Sequence, residues 1–244
     1  MLTISKSCNI FKEKIRRGEF LMIIEIPKGY VFTKKEDIIA FEENGILKMY
    51  ARYLRFEDLM YDITYETKGR ERCYYCGRKI MPNKITLDHI YPRSLGGPTI
   101  PQNLIPACKN CNEKKGNMTP EQHKIYQRFQ GLPQQREFKQ DFENFRTFQE
   151  KWCHILPEEW ISSSKISGLL LPIDLQDTST DKYRKTDEFY ARTKQFPKPI
   201  IVDCNGFVLD GFTEVLYAKN NVITEIPTII LENVEVIFKW PKEG

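Results

Sequence analysis

Two Cys-x-x-Cys pairs constrain the fold of this chain more than any other feature of its sequence. The four cysteines are Cys73, Cys76, Cys108 and Cys111. Each pair presents two sulfurs from one tight turn, and four thiolates complete a tetrahedral zinc site with no open position. Gly77 follows the first pair, where such a turn favours a residue without a side chain. We therefore predict a structural zinc ion, with two unrelated pairs of reduced cysteines as the alternative.

The region around these cysteines is rich in turn-forming residues and in positive charge. Residues 66–120 contain many Gly, Pro and Asn and little apolar periodicity, and a bound metal ion stabilises folds of this kind. From Glu66 to Glu121 there are ten basic residues and five acidic ones, whereas the whole chain has a net charge of +4. This local excess of positive charge predicts contact with a phosphate backbone.

The composition argues against a membrane protein and against a disulfide-rich secreted protein. The chain has 244 residues, of which 41% are hydrophobic and 29% charged, as in ordinary globular proteins. No apolar run approaches the ~20 residues of a membrane span. Lysine and arginine residues interrupt the apolar stretches near the N-terminus, unlike in a secretory signal. We therefore expect Cys8, Cys153 and Cys204 to be reduced and structural, with Cys204 buried.

A series of polar residues and glycines lies between and after the cysteine pairs. It comprises Asp88, His89, Pro92, Ser94, Gly96, Gly97, Asn103, Leu104 and Asn112. Together with the cysteines, this series resembles the four-cysteine branch of the HNH endonuclease family over residues 73–115. The resemblance implies a β-hairpin and a helix around one metal ion, and an activity that hydrolyses a nucleic-acid backbone. Asn112 stands where the family often has His, and Asn is common there.

The resemblance also implies a role for each residue of the series. His89 corresponds to the general base, and its ordinary pKa of ~6.5 suits that work near neutral pH. Asp88 and Asn112 correspond to the ligands of one catalytic cation, and their oxygens favour Mg²⁺ or Mn²⁺. Asn103 corresponds to the residue that orients the base, and Gly96-Gly97 to a tight loop near the phosphate. The basic residues expected to contact phosphates are Arg93, Lys109, Lys114 and Lys115.

These roles predict a metal-dependent endonuclease that acts on DNA, although RNA is not excluded. One site cuts one strand, so a monomer nicks and a dimer is needed for a concerted double-strand cut. We also expect a cytoplasmic location and a bacterial or phage source, while the oligomeric state stays open. The alternative is a degenerate module that binds nucleic acid without cutting it. His123 and His154 lie outside the series and receive no role.

The segments before and after this module carry structural signals without obvious chemistry. Residues 20–26 predict a strand, and a Thr33/Glu36 capping box followed by spaced apolar residues predicts two helices over 33–62, the first ending near Gly45. Thr119-Pro120-Glu121 opens a predicted helical region over 121–155, interrupted at 131–133. Its aromatic residues predict core packing. Ser162–Ser164 reads as a linker.

The C-terminal segment alternates predicted strands with one helix. The predicted elements are a strand at 199–203, a turn at Asn205-Gly206, a strand at 207–209, a helix to about Asn220 and a strand at 226–231. Residues 165–231 resemble the ParB/sulfiredoxin-like fold, which implies a nucleotide or phosphate contact at Asp210 and Gly211. Glu214 lies where that family has an Arg, so we favour substrate positioning or partner contact, with nucleotide binding as the alternative.

The predicted fold class is α+β, with a central zinc-stapled ββα-metal module. The predicted divisions are an N-terminal accessory region (1–65), the HNH module (66–122), a helical connector (123–164) and a ParB/sulfiredoxin-like α/β domain (165–244). A further alternative follows from this arrangement: a nuclease whose activity is regulated by nucleotide at the C-terminal domain.

Overall fold

The computed structural model describes residues 11–16, 19–26, 29–34, 37–50, 56–57, 60–61, 64, 72–81, 84–133, 137, 156–171 and 179–237. Within these residues the fold is mixed α+β, as predicted. Three sheets carry the strands, namely a six-stranded sheet, a four-stranded sheet and a two-stranded hairpin. No helix among these residues combines the length and apolar content that a membrane span requires.

The first sheet begins as an antiparallel meander of five strands. These are β1 (Phe11–Arg16), β2 (Glu19–Ile26), β3 (Gly29–Lys34), β4 (Asp37–Glu43) and β5 (Ile46–Tyr50). Each strand pairs with the next one along the chain. Strand β2 confirms the strand predicted at residues 20–26. Asn44 and Gly45 connect β4 to β5 with φ angles of 55° and 80°, which suit a tight hairpin turn.

The prediction of a helix that starts at Thr33 and ends near Gly45 was wrong. Thr33 lies in β3, opposite Met22 of β2, and Gly45 makes a hairpin turn rather than a helix end. Leu47 and Met49 of β5 are buried, while the residue between them is half-buried, so the apolar pattern there has the period of a strand. Farther along, helical residues do occur where the second helix was predicted. They are Phe56, Glu57, Met60, Tyr61 and Thr64.

The central module is a β-hairpin followed by two short helices. Strand β6 (Ile85–His89) pairs antiparallel with β7 (Leu104–Cys108), and helix α1 (Lys109–Lys115) follows directly. Helix α2 (Pro120–Arg128) begins at a capping box between Thr119 and Gln122, which confirms the predicted helix start. A turn follows at residues 131–133. The predicted helix beyond it falls on 134–136 and 138–155, which lie outside the described residues, together with most of its aromatic residues.

The C-terminal segment forms a four-stranded sheet with two helices. Its strands are β8 (Ser162–Lys165), β9 (Ile200–Asp203), β10 (Val208–Asp210) and β11 (Glu225–Leu231), in the order β10-β9-β11-β8. Helices α3 (Thr180–Thr193) and α4 (Phe212–Asn220) pack against each other. The three later strands and α4 confirm the predicted elements, whereas α3 was not predicted. The ParB/sulfiredoxin-like resemblance itself stays a prediction.

The triple serine segment is a strand rather than the predicted linker. Ser162 to Ser164 pair antiparallel with β11, and Ser163 Oγ donates a hydrogen bond of 3.0 Å to Glu225. Serine is short and polar, so it suits an exposed edge strand as well as a linker. Composition alone does not distinguish these two environments.

One further strand connects the C-terminal segment to the first sheet. Strand β12 (Val234–Ile237) pairs parallel with β5, which makes it the sixth strand of the N-terminal sheet. One apolar core therefore contains Leu47 and Met49 from the first sheet, Ile201 and Leu231 from the C-terminal sheet, and Ile100 from the hairpin loop of the central module. The divisions at 65, 122 and 164 stay predictions. This core contains residues of the first, second and fourth predicted regions, and it packs Ile100 of the hairpin loop against the two larger sheets.

Candidate active site and metal centres

The four cysteines meet at one point, as the sequence predicts. Their sulfur atoms all lie within 4.8 Å of one another. Tetrahedral zinc with Zn–S bonds of about 2.3 Å separates its sulfurs by about 3.8 Å, so the donor set fits zinc. The first knuckle is a tight turn, in which the Gly77 amide donates to the Cys73 carbonyl over 2.8 Å and Gly77 has a φ of 66°. Cys108 caps the start of α1, and Cys111 lies within that helix.

The thiols of this cluster differ in acidity. Burial opposes ionisation of Cys73, but backbone N–H groups of Cys108, Cys76 and Tyr75 outweigh it and lower the pKa of Cys73 to about 7. Burial and the neighbouring thiols instead raise the pKa of Cys111. A divalent cation favours the thiolate form of all its ligands, so the cluster has the chemistry of a metal site. Cys204 is exposed at the β9–β10 turn, so the prediction that it is buried was wrong.

The hairpin brings the predicted catalytic residues to one side of α1. An open cleft of about 530 Å³ lies between β6, the following loop and α1. Its lining residues are Thr86, Leu87, Asp88, His89, Pro92, Arg93, Lys109, Asn112, Glu113, Gly116 and Asn117. The cleft thus unites three of the four predicted catalytic residues, while Asn103 does not line it.

Asp88 is held through one of its two carboxylate oxygens. The Tyr75 hydroxyl donates a hydrogen bond to Asp88 Oδ2, and the Lys115 ammonium lies 3.1 Å from the same oxygen. Oδ1 receives no hydrogen bond from any residue that the structure describes. Asp88 is 6% exposed, and it lies in β6 opposite Ile105. One carboxylate oxygen of Asp88 is therefore without a donor among the described residues.

Asn112 also lines this cleft and has a side-chain oxygen. Its Nδ2 donates to Thr86 Oγ1 over 3.0 Å, which fixes the orientation of the amide. Its Oδ1 accepts no hydrogen bond within the described part of the chain. Asp88 and Asn112 therefore offer two hard oxygen donors, which is the ligand type that Mg²⁺ and Mn²⁺ prefer. These residues fit the divalent cation that the family resemblance implies.

His89 is a buried, neutral imidazole at the end of β6. Its Nε2 lies 3.1 Å from Thr99 Oγ1, and its ring meets the edge of Tyr61 at a centroid distance of 5.8 Å. Burial lowers the pKa of His89 to about 4, and the positive charges of Arg93 and Lys115 contribute. A neutral imidazole can accept a proton, as a general base must.

Asn103 holds the loop that follows His89 and does not contact the imidazole. Its side chain is fully buried; Nδ2 donates to the carbonyls of Tyr91 (3.0 Å) and Pro98 (2.8 Å), and Oδ1 accepts from the Tyr91 amide (2.8 Å). The Asn103 carbonyl also accepts from the Ile90 amide. The hydrogen bonds of Asn103 therefore reach the segment after His89 through backbone groups.

The predicted glycine pair does make a tight loop. Gly96 has a φ of 83°. A Cβ atom at Gly97 would lie 1.9 Å from the Tyr91 carbonyl oxygen, so only glycine fits there. The loop is further tied to the rest of the protein, since Tyr91 meets Trp160 edge to face at 5.7 Å.

The predicted phosphate-contacting residues divide into three groups. Arg93 and Lys109 line the cleft, although Arg93 also pairs with Glu57 at 2.9 Å. Lys114 is exposed on the other side of α1, next to the cysteines. Lys115 was assigned wrongly, because it is 1% exposed and donates to the His89 carbonyl over 2.6 Å. Burial lowers the pKa of Lys115, and the nearby Asp88 carboxylate opposes that shift.

Sequence reasoning also missed Tyr75 and its neighbour His123. Tyr75 lies inside the first Cys-x-x-Cys pair, and the buried His123 ring meets it at a centroid distance of 4.8 Å. A signal existed, since Tyr75 lies between the two cysteines of the first pair and Lys115 follows Asn112 by three helical positions. His154 lies outside the described residues.

The candidate nucleotide residues Asp210 and Gly211 are occupied by internal contacts. Lys198 Nζ donates to Asp210 Oδ2 over 2.6 Å, and the Gly211 amide donates to Asp210 Oδ1 over 2.8 Å. Burial opposes ionisation of Asp210, but Lys198 outweighs it and lowers the Asp210 pKa. Glu214 is buried in the first turn of α4, and burial raises its pKa. These contacts leave nucleotide binding as an untested alternative.

Comparison with known proteins agrees with the geometry of the central module. Residues 73–125, less than half of the chain, match the family profile described as HNH endonuclease. An uncharacterized protein of Acidianus two-tailed virus, ORF326b, is 35% identical over 83 residues, which are 34% of this chain and 23% of that protein. The chain thus spans about a quarter of that relative's length. No solved structure matches the chain significantly. Residues 73–125, with their four clustered cysteines, therefore form an HNH endonuclease domain.

Proposed function

We propose that this protein is a metal-dependent endonuclease that hydrolyses phosphodiester bonds of DNA, one strand at each site. The observation that carries this proposal is the meeting of Asp88, His89 and Asn112 at one open cleft. Asp88 and Asn112 each keep one oxygen that takes no hydrogen bond from the described residues, and both lie within reach of the same solvent space.

The proposed role of each residue follows from its hydrogen bonds, its protonation state and its position in the cleft. Asp88 and Asn112 would hold Mg²⁺ or Mn²⁺ through their side-chain oxygens, and the cation would supply positive charge to neutralise the scissile phosphate and the leaving oxygen. The lowered pKa of His89 keeps its imidazole neutral near pH 7, which is the form that can accept a proton from the attacking water. Asn103 supports His89 by fixing the loop after it. Arg93 and Lys109 line the cleft and contact the DNA backbone.

The second proposed metal ion is structural. Zinc on Cys73, Cys76, Cys108 and Cys111 fixes the first knuckle against the start of α1, and a closed four-sulfur site leaves no position for water. The two metal sites thus have different donors and different tasks. We also propose the expected cytoplasmic location and a bacterial or phage source. Of these, only a viral origin is supported by the partial similarity to a viral protein.

The experiment that tests the function is a plasmid assay in which the divalent cation is varied. Supercoiled plasmid is incubated with the zinc-loaded protein and Mg²⁺, Mn²⁺, Ca²⁺ or EDTA. We expect nicked circles with Mg²⁺ or Mn²⁺ and intact plasmid with EDTA. A single-stranded RNA is incubated with the protein under the same conditions, and its cleavage or survival distinguishes RNA from DNA as the substrate.

A non-catalytic nucleic-acid-binding module is the second candidate, and one contact favours it. The ion pair with Lys115 already neutralises part of the charge of Asp88, which weakens this carboxylate as a cation ligand. Protein that shifts DNA in a gel but leaves it uncut with every cation would support this candidate. Regulation by nucleotide is tested in the same assay with ATP or CTP added, since Asp210 and Gly211 are its proposed site.

A further inference from the structure

We propose that Tyr75 and Lys115 are positioning residues that hold Asp88 through Oδ2 and so reserve Oδ1 for the catalytic cation. This inference rests on the proposed function and deepens it, because it assigns the orientation of a cation ligand to two residues to which the family resemblance gives no such role. It also links the cysteine site to the cation site through one side chain.

The two oxygens of the Asp88 carboxylate have different hydrogen-bond partners. Both donors, the Tyr75 hydroxyl and the Lys115 ammonium, reach the same oxygen. Two donors on Oδ2 fix the rotation of the carboxylate, and Oδ1 takes no hydrogen bond from the described residues. Asp88 lines the cleft, so a cation bound there would meet the oxygen that has no donor. Groups that hydrogen-bond a metal-binding carboxylate in this way set its orientation and tune its strength as a ligand.

Lys115 makes a double contact. An ammonium group has three N–H donors, and Lys115 directs two of them at Asp88 Oδ2 (3.1 Å) and the His89 carbonyl (2.6 Å). Lys115 and Asn112 lie on the same helix, three positions apart. Helix α1 therefore fixes both cation ligands and the backbone of the base together.

Tyr75 is part of the cysteine knuckle. Tyr75 lies between Cys73 and Cys76, and the adjacent Tyr74 amide donates to the Pro106 carbonyl of β7 over 2.9 Å. The Tyr75 ring also packs against His123. The conformation of the knuckle thus decides where the Tyr75 hydroxyl lies, so loss of zinc displaces a hydrogen-bond donor of Asp88.

The test compares Tyr75→Phe with Tyr74→Phe. Both changes remove one hydroxyl group from neighbouring rings of the same knuckle, but Tyr74 is 68% exposed. Mn²⁺ binding is measured by electron paramagnetic resonance in the absence of DNA. We expect Tyr75→Phe to weaken Mn²⁺ binding about 10- to 100-fold, the range typical of outer-shell partners, and Tyr74→Phe to leave it unchanged. Equal Mn²⁺ binding by the two variants and the wild type overturns the inference.

Plasmid nicking across a Mn²⁺ series supplies the second readout. A positioning role predicts that Tyr75→Phe needs more Mn²⁺ for half-maximal nicking yet approaches the wild-type rate at saturation. A purely structural role predicts a lower rate at every Mn²⁺ concentration with an unchanged midpoint, and that result overturns the inference. Both variants are first checked for wild-type zinc content, so that misfolding is recognised.

The outcomes separate this inference from the proposed function. A wild-type protein that binds Mn²⁺ but cuts no nucleic acid refutes the nuclease, while the Mn²⁺ titration of Tyr75→Phe still decides the inference. A wild-type protein that cuts, together with a Tyr75→Phe variant identical in Mn²⁺ binding and in Mn²⁺ midpoint, refutes the inference alone.

Discussion

The ammonium group of Lys115 lies 3.1 Å from Asp88 Oδ2, although Lys115 is 1% exposed and Asp88 is 6% exposed. A buried charge is costly unless it has a partner, so each group depends on the other. The pair joins helix α1 to strand β6 at the point where both contribute to the cleft.

Lys115→Met is expected to lower the free energy of unfolding by about 3–5 kcal/mol, because it leaves the Asp88 carboxylate buried without the ammonium group that pairs with it. Urea unfolding followed by circular dichroism measures the loss. Lys114→Met is the matched control, since Lys114 precedes it on the same helix and is exposed, so a change within about 0.5 kcal/mol is expected. Equal stabilities of the two variants would contradict the buried ion pair.

Asn112→Ala is expected to reduce the nicking rate at a fixed Mg²⁺ concentration by at least roughly 10- to 100-fold. That range is typical for loss of a residue that only supports a metal ligand, and loss of a ligand should cost no less. The reason is that Asn112 supplies one of the two proposed protein oxygens for the cation. Initial nicking rates over a Mg²⁺ series measure the effect. Asn110→Ala changes an exposed asparagine of the same helix and should nick at the wild-type rate. If both variants retain full activity, Asn112 is not a cation ligand.

Cys76→Ser is expected to abolish stoichiometric zinc binding and to lower the helical signal of the module. Helix α1 has seven residues, too few to be stable in water without tertiary support. Zinc content is measured by atomic emission, and helicity by circular dichroism. Cys204→Ser is the control, because that exposed thiol lies away from the cluster at the β9–β10 turn. One zinc ion per chain in Cys76→Ser would rule out the four-cysteine site.

Glu214→Gln is expected to stabilise the protein at pH 7 and to lose this advantage in acid. Burial raises the pKa of Glu214 in the folded state. Above that pKa the buried carboxylate is charged and destabilises the folded state, whereas below the ordinary pKa of ~4.3 the group is neutral in both states and the penalty is absent. The nearby charges that modulate this effect are Lys198, Asp210 and Lys182. Unfolding midpoints from pH 3 to pH 8 give the difference, with Glu232→Gln as an exposed control. A stability difference that is independent of pH would contradict the prediction.

The central module was predictable because its chemistry is local in sequence. The cysteine spacing fixes two knuckles, and the glycine pair fixes the loop in which Gly97 has no room for a Cβ atom. The contacts of Lys115 were not predictable from its charge. The sequence around Lys115 does not show whether this lysine contacts solvent or a buried carboxylate. The packing of α1 on β6 decides between these two environments.

The N-terminal prediction failed because apolar spacing is ambiguous in short segments. Leu47 and Met49 alternate with half-buried residues, as in a strand, while their wider neighbourhood also fits a helix. Pairing decides the outcome, and the partner of β5 on one side is β12, nearly at the other end of the chain. Asp203 supports that pairing by accepting a hydrogen bond of 2.8 Å from the Val236 amide. No local pattern encodes such a contact.

Plasmid nicking by His89→Ala, beside the wild type, tests the central claim most directly. The account predicts that the wild type converts supercoiled plasmid to nicked circles with Mg²⁺ or Mn²⁺. It also predicts that His89→Ala leaves the plasmid intact while it retains one zinc ion and the wild-type circular dichroism spectrum. Nicking by His89→Ala at the wild-type rate would contradict the assignment of His89 as the base and, with it, the proposed active site.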